Sequence, residues 1–135
     1  MAAADKLPGV AERFLRYVRI DTRSDPDAEG TPSTEKQKDL SRLLTEELEG
    51  LGVEAGMDRY GYVYGRLPST LPREEADKTP VLALVAHVDT SPDEPGGPVE
   101  PQIHRDYDGS VIELPGGPGV TLDPRRSPAL LAHVG

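Results

Sequence analysis

Cysteine is absent from this chain of 135 residues. That excludes disulfide scaffolds and thiol catalysis, and is neutral between redox compartments. Aromatic residues are scarce as well, at 4% against a hydrophobic share of 36%, so the expected core is aliphatic. Positive charge is in short supply: 15 Lys and Arg face 24 Asp and Glu, for a net charge of −9. Nucleic acid and anionic membrane both need clustered basic residues, and neither is expected as a partner. No apolar run approaches the roughly 20 residues that a membrane span requires. The stretch from Met1 to Asp5 has no basic segment and no apolar segment follows it, so nothing resembles a secretory signal. A cytoplasmic protein of single-domain length is expected. Gly-rich phosphate loops and the Gly-x-Ser-x-Gly elbow are missing too.

Glycine and proline are plentiful instead, 14 of each, and they crowd into the part after Thr90. "PDEPGGPVEP" and "LPGGPGVTLDP" are turn-forming stretches with little apolar material between them. The first two thirds of the chain read as a fold under construction, and the last third as connections leading towards further sequence.

Helical spacing first appears from Asp5 to Ile20, where Leu7, Val10, Phe14, Leu15 and Val18 share a face. Asp5 is placed to cap this helix and Pro8 is tolerable in its first turn. After the acidic loop "DTRSDPDAEGTP", Thr34 and Gln37 have the spacing of a capping box. Leu40, Leu43, Leu44, Leu48 and Leu51 then form a second apolar stripe, stopped by Gly50 and Gly52. Val53, Ala55 and Met57 alternate ahead of "DRYGY" and "YVYGRL", a hairpin pattern in which Tyr60, Tyr62 and Tyr64 serve sheet packing. "PSTLPREEADKT" is a polar linker. "SVIEL" (110–114) is a candidate strand and "SPALLAHV" (127–134) a candidate helix. The order points to the α/β class, with helices covering a mixed sheet.

Between linker and Gly/Pro-rich part lies "PVLALVAHVDTSPD". Val81 to Ala86 carry no polar side chain and are expected to form a strand buried on both faces. Ligands bind at the carboxyl ends of strands in open α/β sheets, and His87 stands at that end. Residues two apart in an extended chain project to one side, which places Asp89 with His87. One imidazole nitrogen can then bind a metal ion while the carboxylate orients the other. Without cysteine only nitrogen and oxygen donors remain, which suits a hydrolytic zinc site better than a structural one. His-x-Asp alone is common by chance, and "LLAHVG" at 130–135 echoes "LVAHVD" without a carboxylate. His133 is therefore expected at a helix end and His104, in "PQIHRDYDG", in a solvated loop. Asp21, Asp25, Asp27 and Glu29 lack the Gly and terminal Glu of an EF-hand and are expected to be solvated.

The pieces "RFLRYVRIDTRSDP" (13–26), "PSTEKQKDLSRLLTEELEGLG" (32–52), "GYVYGRLP" (61–68), "AHVDTSPD" (86–93) and "PQIHRDYDGSVIEL" (101–114) resemble, in order, the peptidase T family. This is the tripeptide aminopeptidase family of the dizinc metallopeptidase superfamily. The resemblance implies that His87 is a zinc ligand and Asp89 the catalytic aspartate behind it, with Thr90 and Ser91 shaping the loop. It implies two zinc ions per complete site, a tripeptide substrate, and a possible homodimer. It also implies an α/β/α catalytic domain of which residues 1–135 are the N-terminal part. The family's metal-bridging aspartate, paired glutamates, further aspartate and late histidine fall beyond Gly135, as does the smaller lid and dimerisation domain. Around "LPGGPGVTLDPRRSP" the likeness weakens.

Three functions follow for comparison. One is zinc-dependent tripeptide hydrolysis by the complete protein. Another is an N-terminal fragment with no activity of its own, since catalytic zinc takes about three protein ligands and one is recognisable. The last is a carboxypeptidase or N-acyl amino acid deacylase of the same superfamily, against which the extended "HVDTSPD" speaks.

Overall fold

The computed structural model describes residues 9–97, 99–117 and 119–135. Asp5, Leu7 and Pro8, assigned above to the start of the first helix, lie outside the described residues. The chain divides into one unit up to Pro101 and another from Gln102 to Gly135.

In the first unit, α1 covers Gly9–Tyr17 and α2 covers Gln37–Gly50. The α1 stripe is not a buried one: Phe14 is 60% exposed and Val10 more so. What ties α1 down is polar. Arg16 pairs with Glu47 Oε1 at 2.5 Å, Arg13 lies 3.6 Å from Oε2, and the Tyr17 hydroxyl donates to that same oxygen. Arg13 and Arg16 thus meet α2, while Arg19 donates to the Leu15 carbonyl at 2.7 Å.

The start of α2 also differs from the capping-box expectation. Lys36 occupies the N-cap without a side-chain capping bond. The Thr34 hydroxyl donates instead to the Arg23 carbonyl at 3.0 Å, and Gln37 bonds Ser33. The first N–H groups of the helix go to turn carbonyls instead of a side chain: Gln37 donates to Thr34, Lys38 to Glu35 and Asp39 to Lys36. The C-terminal stop is where the glycines placed it. Gly52, at φ 79°, donates to Glu49, and Val53 donates to Leu48, the paired bonds of a Schellman motif.

Leu40 is buried and its neighbour Ser41 is 2% exposed. This face of α2 packs on β1 (Glu54–Met57) and β2 (Val63–Arg66), an antiparallel pair in register Glu54↔Arg66 to Met57↔Val63. Gly65 permits the close approach: a Cβ there would stand 3.3 Å from both Leu48 and Val53. In the turn, Asp58 Oδ1 accepts the backbone N–H groups of Tyr60 and Tyr62. The tyrosines are exposed rather than packed, with Tyr60 and Tyr62 meeting edge to face at 6.5 Å. A single helical turn, α3 (Arg73–Ala76), interrupts the polar linker.

The largest difference concerns Val81 to Ala86. The segment forms no strand, and Val81, Leu82, Leu84 and Val85 are 83–95% exposed. A strand buried on both faces needs paired edges and covering helices. Among the described residues β1 and β2 pair only with each other, and the run joins neither of them. The one parallel contact is an isolated bridge between Arg23 and Thr90, and no mixed sheet forms among the described residues. The observed class is mixed α and β built on antiparallel hairpins.

The second unit holds β3 (Ile112–Glu113) and β4 (Thr121–Leu122), paired antiparallel, with Ile112 buried. A 3-10 turn at Pro124–Arg126 is capped by Asp123, which accepts from the Arg125 backbone and side chain. The helix α4 (Pro128–Leu131) follows, inside the span expected for it.

Candidate metal-ligand pair and its clip

His87 and Asp89 sit at the end of the exposed run, not at the end of a buried strand. The two side chains nonetheless meet, as their i, i+2 spacing led one to expect. His87 Nδ1 lies 3.1 Å from Asp89 Oδ1 and 3.0 Å from the Asp89 carbonyl. In the tautomer that carries its proton on Nδ1, the ring donates to both oxygens and leaves the Nε2 lone pair for another partner. The His87 side chain is 85% exposed, so nothing encloses that edge.

The residues fit a metal in part. One imidazole backed by a carboxylate matches a zinc ligand and its orienting acid. Among the described residues, however, no group of three or more His, Cys, Asp or Glu could hold a metal ion. The pair supplies one ligand, and no hydrolytic step follows from it alone.

His104 and Asp106 are exposed in an irregular loop, and His133 follows α4 with Nδ1 2.7 Å from the Ala129 carbonyl. Ser91 turns inward on its own loop, donating to Asp93 Oδ2 at 2.6 Å while accepting the Asp93 N–H.

Sequence reasoning did not single out the group that fixes the base of this site. Thr90 is gripped from both sides: its N–H donates to the Thr22 carbonyl at 3.2 Å, and its carbonyl accepts the Ser24 N–H and hydroxyl, each at 3.0 Å. Thr22 is buried. Arg23 donates from Nε at 3.1 Å and from Nη2 at 2.7 Å to the Pro92 carbonyl. Asp21 accepts the Arg23 N–H and pairs with Lys36 at 2.7 Å. The Lys36 hydrogen bond, followed by that of the Arg23 N–H, holds the Asp21 carboxyl below its ordinary range. Gly96 lies so close that an added Cβ would collide with the Asp21 carboxylate and stand 2.5 Å from Arg23 Cβ. An open cleft of about 540 Å³ adjoins the clip, lined among others by Arg23, Asp25, Asp27, Lys36 and Asp93. The available signal was "DTRS" itself, a Thr between charged residues in a loop that had no reason to bury it.

Several curated proteins are similar to this chain over nearly its whole length. Peptidase T of Desulfitobacterium hafniense strain Y51 is 43% identical over 129 residues, covering 96% of this chain and 30% of that protein. Peptidase T of Alkaliphilus oremlandii is 45% identical over 131 residues, with 96% and 31% covered. Peptidase T of Staphylococcus carnosus is 48% identical over 103 residues, with 76% and 24% covered. No family model matches. The chain thus spans about 30% of the length of the curated relatives it matches. Among the described residues, no helix is long and apolar enough to cross a membrane.

Proposed function

We propose that this chain is the N-terminal part of the catalytic domain of a zinc-dependent, cytoplasmic aminopeptidase that releases the first residue of tripeptides. The observation that carries this is the His87–Asp89 hydrogen bond, in a chain 43–48% identical to relatives named Peptidase T. His87 presents Nε2 to one zinc ion. Asp89, as the catalytic aspartate, keeps the opposite nitrogen protonated and the ring turned outward. Bound zinc would polarise a peptide carbonyl and bring the pKa of a bound water to about 7. The further ligands, the general base and the lid that seats the peptide belong to the rest of a protein of the relatives' length, in which Val81–Ala86 takes up a central strand of an α/β/α domain. Homodimerisation is assigned to that lid. The chain by itself is proposed to bind zinc weakly and to hydrolyse nothing.

Zinc titration of the 135-residue chain, followed through the ring signals of its three histidines, provides the test. His87 is expected to shift well before His104 and His133, with His87→Ala removing the tightest binding. Equal shifts at all three, or unchanged binding by His87→Ala, sinks the ligand assignment. Turnover of a tripeptide by the chain alone sinks the assignment as an inactive part.

A further inference from the structure

We propose that Arg23 is a positioning residue for the His87–Asp89 pair, acting through the Thr90–Pro92 turn; the role rests on reading that pair as a metal ligand and its supporting acid. All three polar parts of Arg23 are engaged around this turn. Its guanidinium closes two bonds, 3.1 and 2.7 Å, on the single Pro92 carbonyl. Its backbone N–H is taken by Asp21 Oδ1 at 3.0 Å and its carbonyl by the Thr34 hydroxyl at 3.0 Å. The residues on either side, Thr22 and Ser24, hold both backbone groups of Thr90.

The consequence lies one residue upstream. From Val81 to His87 the chain is exposed. In this chain no ladder holds that side, and Thr90 is the nearest hydrogen-bonded anchor for His87 and Asp89. With Thr90 fixed, only the torsions of three residues separate a rigid anchor from the imidazole. A charged donor fork on one carbonyl is stronger than a neutral bond, and its planarity fixes a direction that a lysine ammonium cannot. Gly96, which admits the backbone against Asp21 and Arg23 where a Cβ would collide, keeps the far side of the turn folded onto the same anchor.

The test uses the 135-residue chain, with Arg23→Ala and Arg23→Lys beside it. Hydrogen exchange at the Ser24 and Thr90 amides reports the clip. Side-chain couplings at Asp89 report its rotamer, and zinc titration read at the His87 ring reports the pair. Exchange at Leu43 and Leu44 in α2 monitors the rest of the unit. Arg23→Ala is expected to speed Thr90 exchange about tenfold, the equivalent of about 1.4 kcal/mol, to average the Asp89 rotamer and to weaken zinc severalfold, with α2 unchanged. Arg23→Lys should recover part of each effect. Faster Thr90 exchange with an unchanged Asp89 rotamer would overturn the proposal and leave Arg23 as a tie for the loop alone. So would parallel loosening of α2. Should zinc fail to shift His87 in the unmodified chain, the metal reading fails, while the Asp89 rotamer still decides whether Arg23 positions the pair.

Discussion

The Ser41 hydroxyl donates to the Gly61 carbonyl at 2.8 Å, joining the buried face of α2 to the tip of the β1–β2 hairpin. Helix and hairpin are thereby locked in one relative register, because Gly61 sits in the turn at φ 88°. Replacing Ser41 by Ala leaves that part-buried carbonyl without its donor. The expected cost is about 1–2 kcal/mol, read as a lower urea midpoint with an unchanged slope.

The two glycines that end α2 should respond with opposite signs. Gly52 sits at φ 79° with open space around it, so Gly52→Ala carries backbone strain alone, about 1–2 kcal/mol. Gly50 is the last helical residue and also has open space. Gly50→Ala should stabilise by about 0.4–1 kcal/mol, because the unfolded chain loses freedom it no longer has to give up. Thermal or urea unfolding of both variants checks the pair, and equal signs would contradict the assigned backbone conformations.

Acid should loosen the clip. The Asp21 carboxyl is held below the usual carboxylate range, chiefly by the Lys36 hydrogen bond and then by the Arg23 N–H. A depressed folded-state value gives stability that is present above the unfolded value and is lost as pH falls through the folded one. The decline therefore begins below about pH 4, and Asp21→Asn should flatten it. Urea midpoints of both proteins between neutral pH and pH 2.5 measure the difference.

Glu47 holds α1 through Arg13, Arg16 and Tyr17. The arginines are about half exposed, so the ion pairs contribute little, and Glu47→Gln should cost no more than about 1 kcal/mol. Its clearer signature is spectroscopic. The Tyr17 phenol is raised first by burial, then by its hydrogen bond to Glu47 and the charge of that carboxylate. Glu47→Gln is expected to bring the Tyr17 titration down, because the hydrogen bond to the carboxylate and its charge both leave while the lowering charges of Arg13 and Arg16 remain. The stability linked to Tyr17 is fully present below its unfolded value and disappears as pH rises through the folded one. Carbon NMR of the tyrosine rings follows the titration directly.

The apolar run Val81–Ala86 should behave as an open segment of this chain. Its amides are expected to exchange near the rate of unstructured peptide and a nonspecific protease to cut there first. Leu84→Ser should move the unfolding midpoint by less than the equivalent of about 0.5 kcal/mol. Strong protection of Leu82 and Leu84 would show that the run is paired in solution.

Local signals were largely legible before the structure. The Gly52 stop, the β1–β2 hairpin and the short α4 each depend on a few adjacent residues, and each is found; of the leucine stripe only Leu40 is buried, and Leu51 is 62% exposed. The contact of Asp89 with His87 is also local, made between residues two apart. What failed were inferences about partners. Val81–Ala86 has a composition suited to burial and no strand beside it, and Thr34 bonds Arg23 rather than its own helix. Val10 and Phe14 keep helical spacing, yet α1 meets α2 through charge.

By itself the sequence determined which segments turn, which coil into helix, and that an imidazole and a carboxylate would lie side by side, because spacing along the backbone decides such matters within a few residues. Only the tertiary structure decided that Thr22, Arg23 and Ser24 would seize Thr90 and Pro92 from nearly seventy residues away. Bonds between segments that distant depend on how loops are brought together, and a hydroxyl or guanidinium in a sequence carries no record of which carbonyl it will meet.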